Sequence, residues 1–176
     1  LTNSVDVNSF ARLVATYGDV LVSNAGSFTV AGDVSASKLG LRSVNLVANG
    51  GGISQTAGTI SANDVTLRGS GDIVQSGTGR VDANASVLTG ANLDLMGNNS
   101  FGAATPTVVR APGTVRLNGD ALNLQFMNPA GDVTLSAAGD ITVNSFGLQA
   151  SSLTANAGGQ LSATSSSNQI ATVHGL

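Results

Sequence analysis

The 176-residue chain contains no cysteine, no tryptophan and no glutamate. Without cysteine it can form neither disulfides nor thiolate metal sites, and it carries no thiol to be trapped in an oxidising periplasm. Aromatic residues make up 3% of the chain and Tyr17 is the single tyrosine, which removes the usual stacking platform for sugars and an aromatic-rich globular core. Charged residues are 10%, against about 25% in an ordinary domain, and Lys38 is the one lysine, so helices lack their common surface formers. No run of 18 apolar residues exists to span a membrane as a helix. The start, Leu1-Thr2-Asn3-Ser4, has neither a basic nor an apolar leader segment and reads as the edge of an interior piece. A net charge of −3 with six scattered arginines excludes a nucleic-acid partner, because phosphate binding needs a basic stripe.

What the chain has is 41% hydrophobic residues, 23 glycines, and short runs in which aliphatic and small polar residues alternate. Such runs start at Val20, Val44, Val65, Leu93, Val115, Val133 and Leu153, separated by 24, 21, 28, 22, 18 and 20 residues. Period two means strands, and recurrence at about 20 residues means a structural repeat. The segments Val44–Gln55, Val65–Gln75 and Val133–Val143 each read as strand, glycine-bearing corner, strand. In the first two a third short run follows, at Ile60-Ser61-Ala62-Asn63 and Val81-Asp82-Ala83-Asn84. A unit of three strands this short cannot bury its own apolar face, so successive units must stack. The expected fold is an all-β, right-handed parallel β-helix spanning residues 1–176 as one domain, with about 20 residues per coil. Asn49-Gly50 and Asn118-Gly119 are the signature of the alternative, an antiparallel meander with two-residue turns.

Stacked coils favour inward columns of like residues. Val20, Val44, Val65, Val115 and Val133 form one candidate column, Ile53, Ile73 and Ile141 a second, and Ile60 with Val81 a third. The five Phe residues fall near irregular stretches, where they suit plugging of bends. The pattern weakens between Asn98 and Pro112, read as a loop leaving the shaft because Pro106 cannot donate to a central ladder. It weakens again at Phe126–Gly131. The Ser- and Asn-rich tail, 162–176, reads as a worn final turn or disorder.

The phrase Gly131-Asp132-Val133-Thr134-Leu135-Ser136-Ala137-Ala138-Gly139-Asp140-Ile141-Thr142-Val143 resembles the shaft repeats of filamentous-haemagglutinin-type exoproteins of two-partner secretion. Gly52-Ile53-Ser54-Gln55-Thr56-Ala57-Gly58 and Gly71-Asp72-Ile73-Val74-Gln75-Ser76-Gly77 are similar to the same class. The resemblance covers most of residues 18–160. It implies a right-handed parallel β-helix exported through an outer-membrane β-barrel partner to the Gram-negative cell surface. The implied role is an adhesin, a biofilm scaffold or a toxin-delivery stalk. The sole Asn-Pro is Asn128-Pro129-Ala130, so the chain departs from the Asn-Pro-Asn-Gly-type signature of the family's transport domain and fits a piece of shaft.

No constellation in the sequence carries catalysis, and no cofactor or metal is expected. His174 is the one histidine and has no acid near it in sequence. Asp19, Asp33, Asp72, Asp132 and Asp140 sit at corners before apolar strands, where turn chemistry accounts for them. A polysaccharide-active enzyme on this fold stays open as an alternative; it would need paired carboxylates, and Gly51 stands at the corner matching Asp72. The glycine runs resemble calcium-binding nonapeptides only loosely, and a period near 20 is wrong for them. Any contact with a polysaccharide or a surface receptor would rest on polar rows, and the candidate recognition residues are Arg68, Arg80, Asn99, Arg110 and Arg116.

Overall fold

The computed structural model describes residues 7–37, 41–102, 105–127, 130–144 and 147–174. The chain coils as a β-solenoid of about seven turns, with about 21 residues per turn. Every strand pairing among the described residues is parallel, within one nine-stranded and one ten-stranded sheet. The antiparallel meander is thereby excluded. Asn49-Gly50 turns a corner between Ser43–Ala48 and Ile53–Gln55, while Asn118 and Gly119 lie inside the strand Val115–Gly119.

Strict alternation of inward aliphatic and outward polar residues builds each face, as in Ser43–Ala48, where Val44, Leu46 and Ala48 are buried. It fails where the chain must turn without a loop. Thr59–Gly69 and Arg80–Thr89 each run through such a bend, at Asn63-Asp64 and Asn84-Ala85, where two successive residues stay outside the core. The third run anticipated in these coils is therefore real, with Ile60, Ala62, Val81 and Ala83 inward. The anticipated inward residues Val44, Val65, Ile53 and Ile73 are all buried.

Two of the anticipated columns are divided differently. Val20, Val44 and Val65 stack in the ten-stranded sheet, whereas Val115 and Val133 belong to the nine-stranded sheet, continuing Phe28, Ile53, Ile73 and Leu93. Ile141 is in the ten-stranded sheet, between Leu122 and Leu161. The Ile60–Val81 column stands, with Val34 below it. The aliphatic column is interrupted at Ser86, which occupies the rung above Val65. A serine in an aliphatic column hid one coil, so the 28-residue step from Val65 to Leu93 crossed from one sheet to the other.

Ser86 is buried and its Oγ has no hydrogen-bond partner. Its hydroxyl is desolvated without compensation, and it is smaller than the valine that stands at this place one coil below. Ser86→Val is expected to stabilise the chain by about 1–2 kcal/mol, from added apolar burial and removal of the orphan hydroxyl. A rise in the urea midpoint at unchanged slope would show it; a fall would mean that the site cannot accept the two methyl groups.

The loop expected at 98–112 is mostly part of the shaft. Thr107–Arg110 is a strand between Arg80–Thr89 and Leu122–Phe126, and Asn99, Phe101, Thr107, Val109 and Ala111 are buried. Pro106 precedes the strand, so its missing N–H interrupts no ladder. In the tail, Gln169–His174 forms a strand paired with Gln149–Ala157. Phe10 and Phe28 meet edge to face with ring centroids 5.3 Å apart; Phe146, Asn128, Pro129 and Lys38 lie outside the described residues.

Candidate functional site

The polar side chains fall into two groups, one inside the solenoid and at its corners, the other on its faces. At the corners, side chains from one coil hold the backbone of the next. The Asp33 carboxylate accepts from the Thr59 N–H at 2.9 Å, Asp140 from the Gln160 N–H at 2.7 Å, and Asn92 from the Thr114 N–H at 2.7 Å. Asp72 accepts from the Asn92 amide at 2.8 Å and Asp132 from the Ser152 hydroxyl at 2.6 Å. The corner acids thus tie coil to coil. Asp72 stands between Gly52 on the coil below, in place of the expected Gly51, and Asn92 on the coil above, so no second carboxylate faces it across the stack among the described residues. Gly52 is required there, because a Cβ would lie 2.2 Å from the Asp72 carbonyl oxygen.

Asp19 has the same role towards the Ser43 N–H, at 2.8 Å. That bond, helped by the Ser43 side chain and the Arg42 guanidinium against a smaller effect of burial, holds its carboxyl below the usual value. A carboxyl whose pKa is depressed by folding contributes stability above its unfolded pKa and loses it as pH falls through the folded one. Acidifying from about pH 5 to about pH 2 should therefore narrow the melting-temperature gap between the wild type and Asp19→Asn. A gap constant with pH would remove Asp19 from the seam.

Inside, a ladder of amides replaces aliphatic residues. Gln55 and Gln75 occupy consecutive rungs above Val30, and the Gln75 amide donates to the Gln55 carbonyl at 2.9 Å. Asn99 adds the next step, exchanging bonds with Gln75 at 2.9 and 3.0 Å. Its Oδ1 also accepts from the Val81 N–H at 2.7 Å, and its Nδ2 reaches the carbonyls of Leu95 and Asn118, each at 3.0 Å. Met96–Asn98 is a bulge where the register shifts between Leu95 and Asn99. Gly97 is fixed at its centre, because a Cβ would lie 2.3 Å from the Gly79 carbonyl oxygen. The bulge turns Asn99 inward. Expected as a surface recognition residue, Asn99 is fully buried, and its amide serves the core.

The other candidate residues separate onto different surfaces. Arg116 lies on the outward row of the nine-stranded sheet and is paired at 2.8 Å with Asp94, one rung below. Arg80 opens its strand beside Thr59, is partly buried, and accepts from the Gln55 amide through its carbonyl at 2.9 Å. Arg68 and Arg110 share one outward row of the ten-stranded sheet with Thr89 between them, and both are exposed. No ion pair engages either of them among the described residues. Residues 68, 89 and 110 are spaced by 21, one turn each, and that spacing was the available signal that they meet. His174 is exposed. Among the described residues no group of three or more His, Asp or Glu side chains is placed to hold a metal ion.

An open groove of about 680 Å³ lies beside the glycine corner, crossing coils from Asn8 through Thr29 and Ser54 to Val74. Its walls present hydroxyls, glycine backbone and the single carboxylate of Asp72. A second depression of about 180 Å³ adjoins Arg68 and is lined by Val47, Asn49, Ser70 and Thr89. No family model, no curated protein and no solved structure matches this chain. The class of protein is therefore defined by the fold: a parallel β-solenoid.

Proposed function

We propose that the chain is a structural and adhesive shaft segment of a secreted bacterial surface protein, serving attachment to other cells, a host surface or a biofilm matrix. The observation that carries the reading is the coil-to-coil seam. Side chains at the corners clamp the backbone of the next coil, the interior is a continuous column core, and the outward rows are left to present side chains at one-rung intervals. Such a stack suits a display rod, in which each coil contacts only its neighbours. The similarity of the Gly-Asp-aliphatic phrases to haemagglutinin-type shafts supports the same role, and with it export through a β-barrel partner to the cell surface. The polysaccharide-active alternative needs two facing carboxylates, and the stacking of Asp72 between Gly52 and Asn92 does not favour it. The test is adherence: beads coated with the chain are expected to bind epithelial cells or bacterial biofilm above beads coated with albumin. Equal retention of both, or cleavage of a polysaccharide at enzymatic turnover that Asp72→Asn abolishes, would overturn the reading.

A further inference from the structure

We propose that the outward face of the ten-stranded sheet around Arg68 and Arg110 is a docking surface for a linear acidic polysaccharide bearing a carboxylate on alternate sugars. The proposal rests on the adhesive reading and gives that reading a ligand class. Arg68 and Arg110 are exposed, point the same way and are separated by one rung, that of Thr89. With a rung spacing of about 4.8 Å, their backbones are about 10 Å apart along the shaft axis. Two cations at that interval suit a chain with one charge per disaccharide and are too sparse for a densely sulfated one.

The surroundings fit the same ligand. The two outward rows that run from Leu21 to Gln125 and from Ser23 to Met127 contain no carboxylate, although the chain as a whole carries a net charge of −3. A polyanion is therefore attracted to this face and repelled by the surface average. Val47 stands one rung below Arg68, and Val87 and Val108 lie in the neighbouring outward row at the rungs of Thr89 and Arg110; all three are half-buried and give the face apolar surface for the ring faces of sugars. The depression beside Arg68 adds the hydroxyls of Ser70 and Thr89 and the amide of Asn49 for sugar hydroxyls. A guanidinium fork binds a carboxylate through two parallel N–H bonds, which fixes the sugar chain along the axis of the rod.

The experiment measures binding of the full chain to immobilised hyaluronate, with dextran as a neutral chain and heparin as a densely sulfated one. Binding to hyaluronate is expected to weaken as salt rises. Arg68→Gln and Arg110→Gln should each weaken it about tenfold and the double variant about a hundredfold, while Arg116→Gln, on the other sheet and already paired, leaves it unchanged. Circular dichroism should show all variants folded, since the three side chains are outside the core. The proposal is overturned if hyaluronate is not bound, if the double variant binds like the wild type, if Arg116→Gln loses as much, or if dextran or heparin is bound more tightly. Bead adherence separates this failure from that of the wider reading. Coated beads that still adhere when hyaluronate is not bound sink this inference alone, whereas hyaluronate binding without adherence sinks the adhesive role.

Discussion

Asn99→Ala is expected to cost about 3–4 kcal/mol, because it leaves the Val81 N–H and one N–H of the Gln75 amide buried without partners, at about 1–3 kcal/mol each. The effect is large because one amide serves three coils at once, through Gln75 and Val81 on one side and Asn118 on the other. Thermal melting of the variant beside the wild type measures it. Gln75→Ala should be non-additive with Asn99→Ala, with a coupling of about 1 kcal/mol or more, as for side chains in one network. Additive losses, or an Asn99→Ala variant within about 0.5 kcal/mol of wild type, would mean that Asn99 is only a surface residue after all. By the same geometry, deletion of residues 99–105 removes Asn99 and the buried Phe101, and it should unfold the middle of the shaft.

Ile73→Asp is expected to have the largest effect of any single substitution. Ile73 is 1% exposed and stacks directly between Ile53 and Leu93. Truncation of such a side chain alone costs about 2–5 kcal/mol, and burying an unpaired carboxylate adds a further penalty that no neighbour offsets. In a solenoid each coil contacts only its neighbours, so the damage should spread from the mutated coil to those beside it. Hydrogen exchange should show lost protection first in Ile53–Gln55 and Leu93–Asn99, with the distant Gln149–Ala157 ladder retained longest. Uniform loss across the chain would indicate a single cooperative unit, and wild-type protection would place Ile73 outside the core.

Much of the fold was legible because alternation and glycine corners are local signals. Val44, Leu46, Val65 and Leu67 declare their inward faces by period two alone, and the recurrence of whole strand-corner-strand units required stacking. Register was harder. It depends on which residue of one coil stands above which residue of another, and Ser86 breaks the aliphatic column one coil above Val65. Asn99 was misplaced for a related reason: an Asn beside Gly and Phe reads as a loop, and nothing local announces that a bulge at Gly97 turns it onto Gln75. Pro106 reads as a break, yet it stands one residue before the strand Thr107–Arg110. The pairing of Arg68 with Arg110 was within reach, since they are 42 residues apart, two turns of 21. Recognising it needed the turn length to be known first. Arg116, similar in composition and context, lies on the other sheet against Asp94.

The most direct test of the stacked register uses the absence of cysteine, which allows spin-label pairs to be introduced one at a time along a single outward row. Thr29, Ser54, Val74, Asp94, Arg116, Thr134 and Thr154 occupy successive rungs of the nine-stranded sheet. The pairs Ser54/Thr134, Ser54/Thr154 and Thr29/Thr154 therefore span four, five and six rungs, or backbone separations of about 19, 24 and 29 Å. Double electron–electron resonance is predicted to give three distances rising by about 5 Å from pair to pair, one rung for each added coil. Distances that fail to rise in that order, or that change by much more than a rung per coil, would contradict a parallel in-register solenoid and with it the faces on which the functional proposals rest.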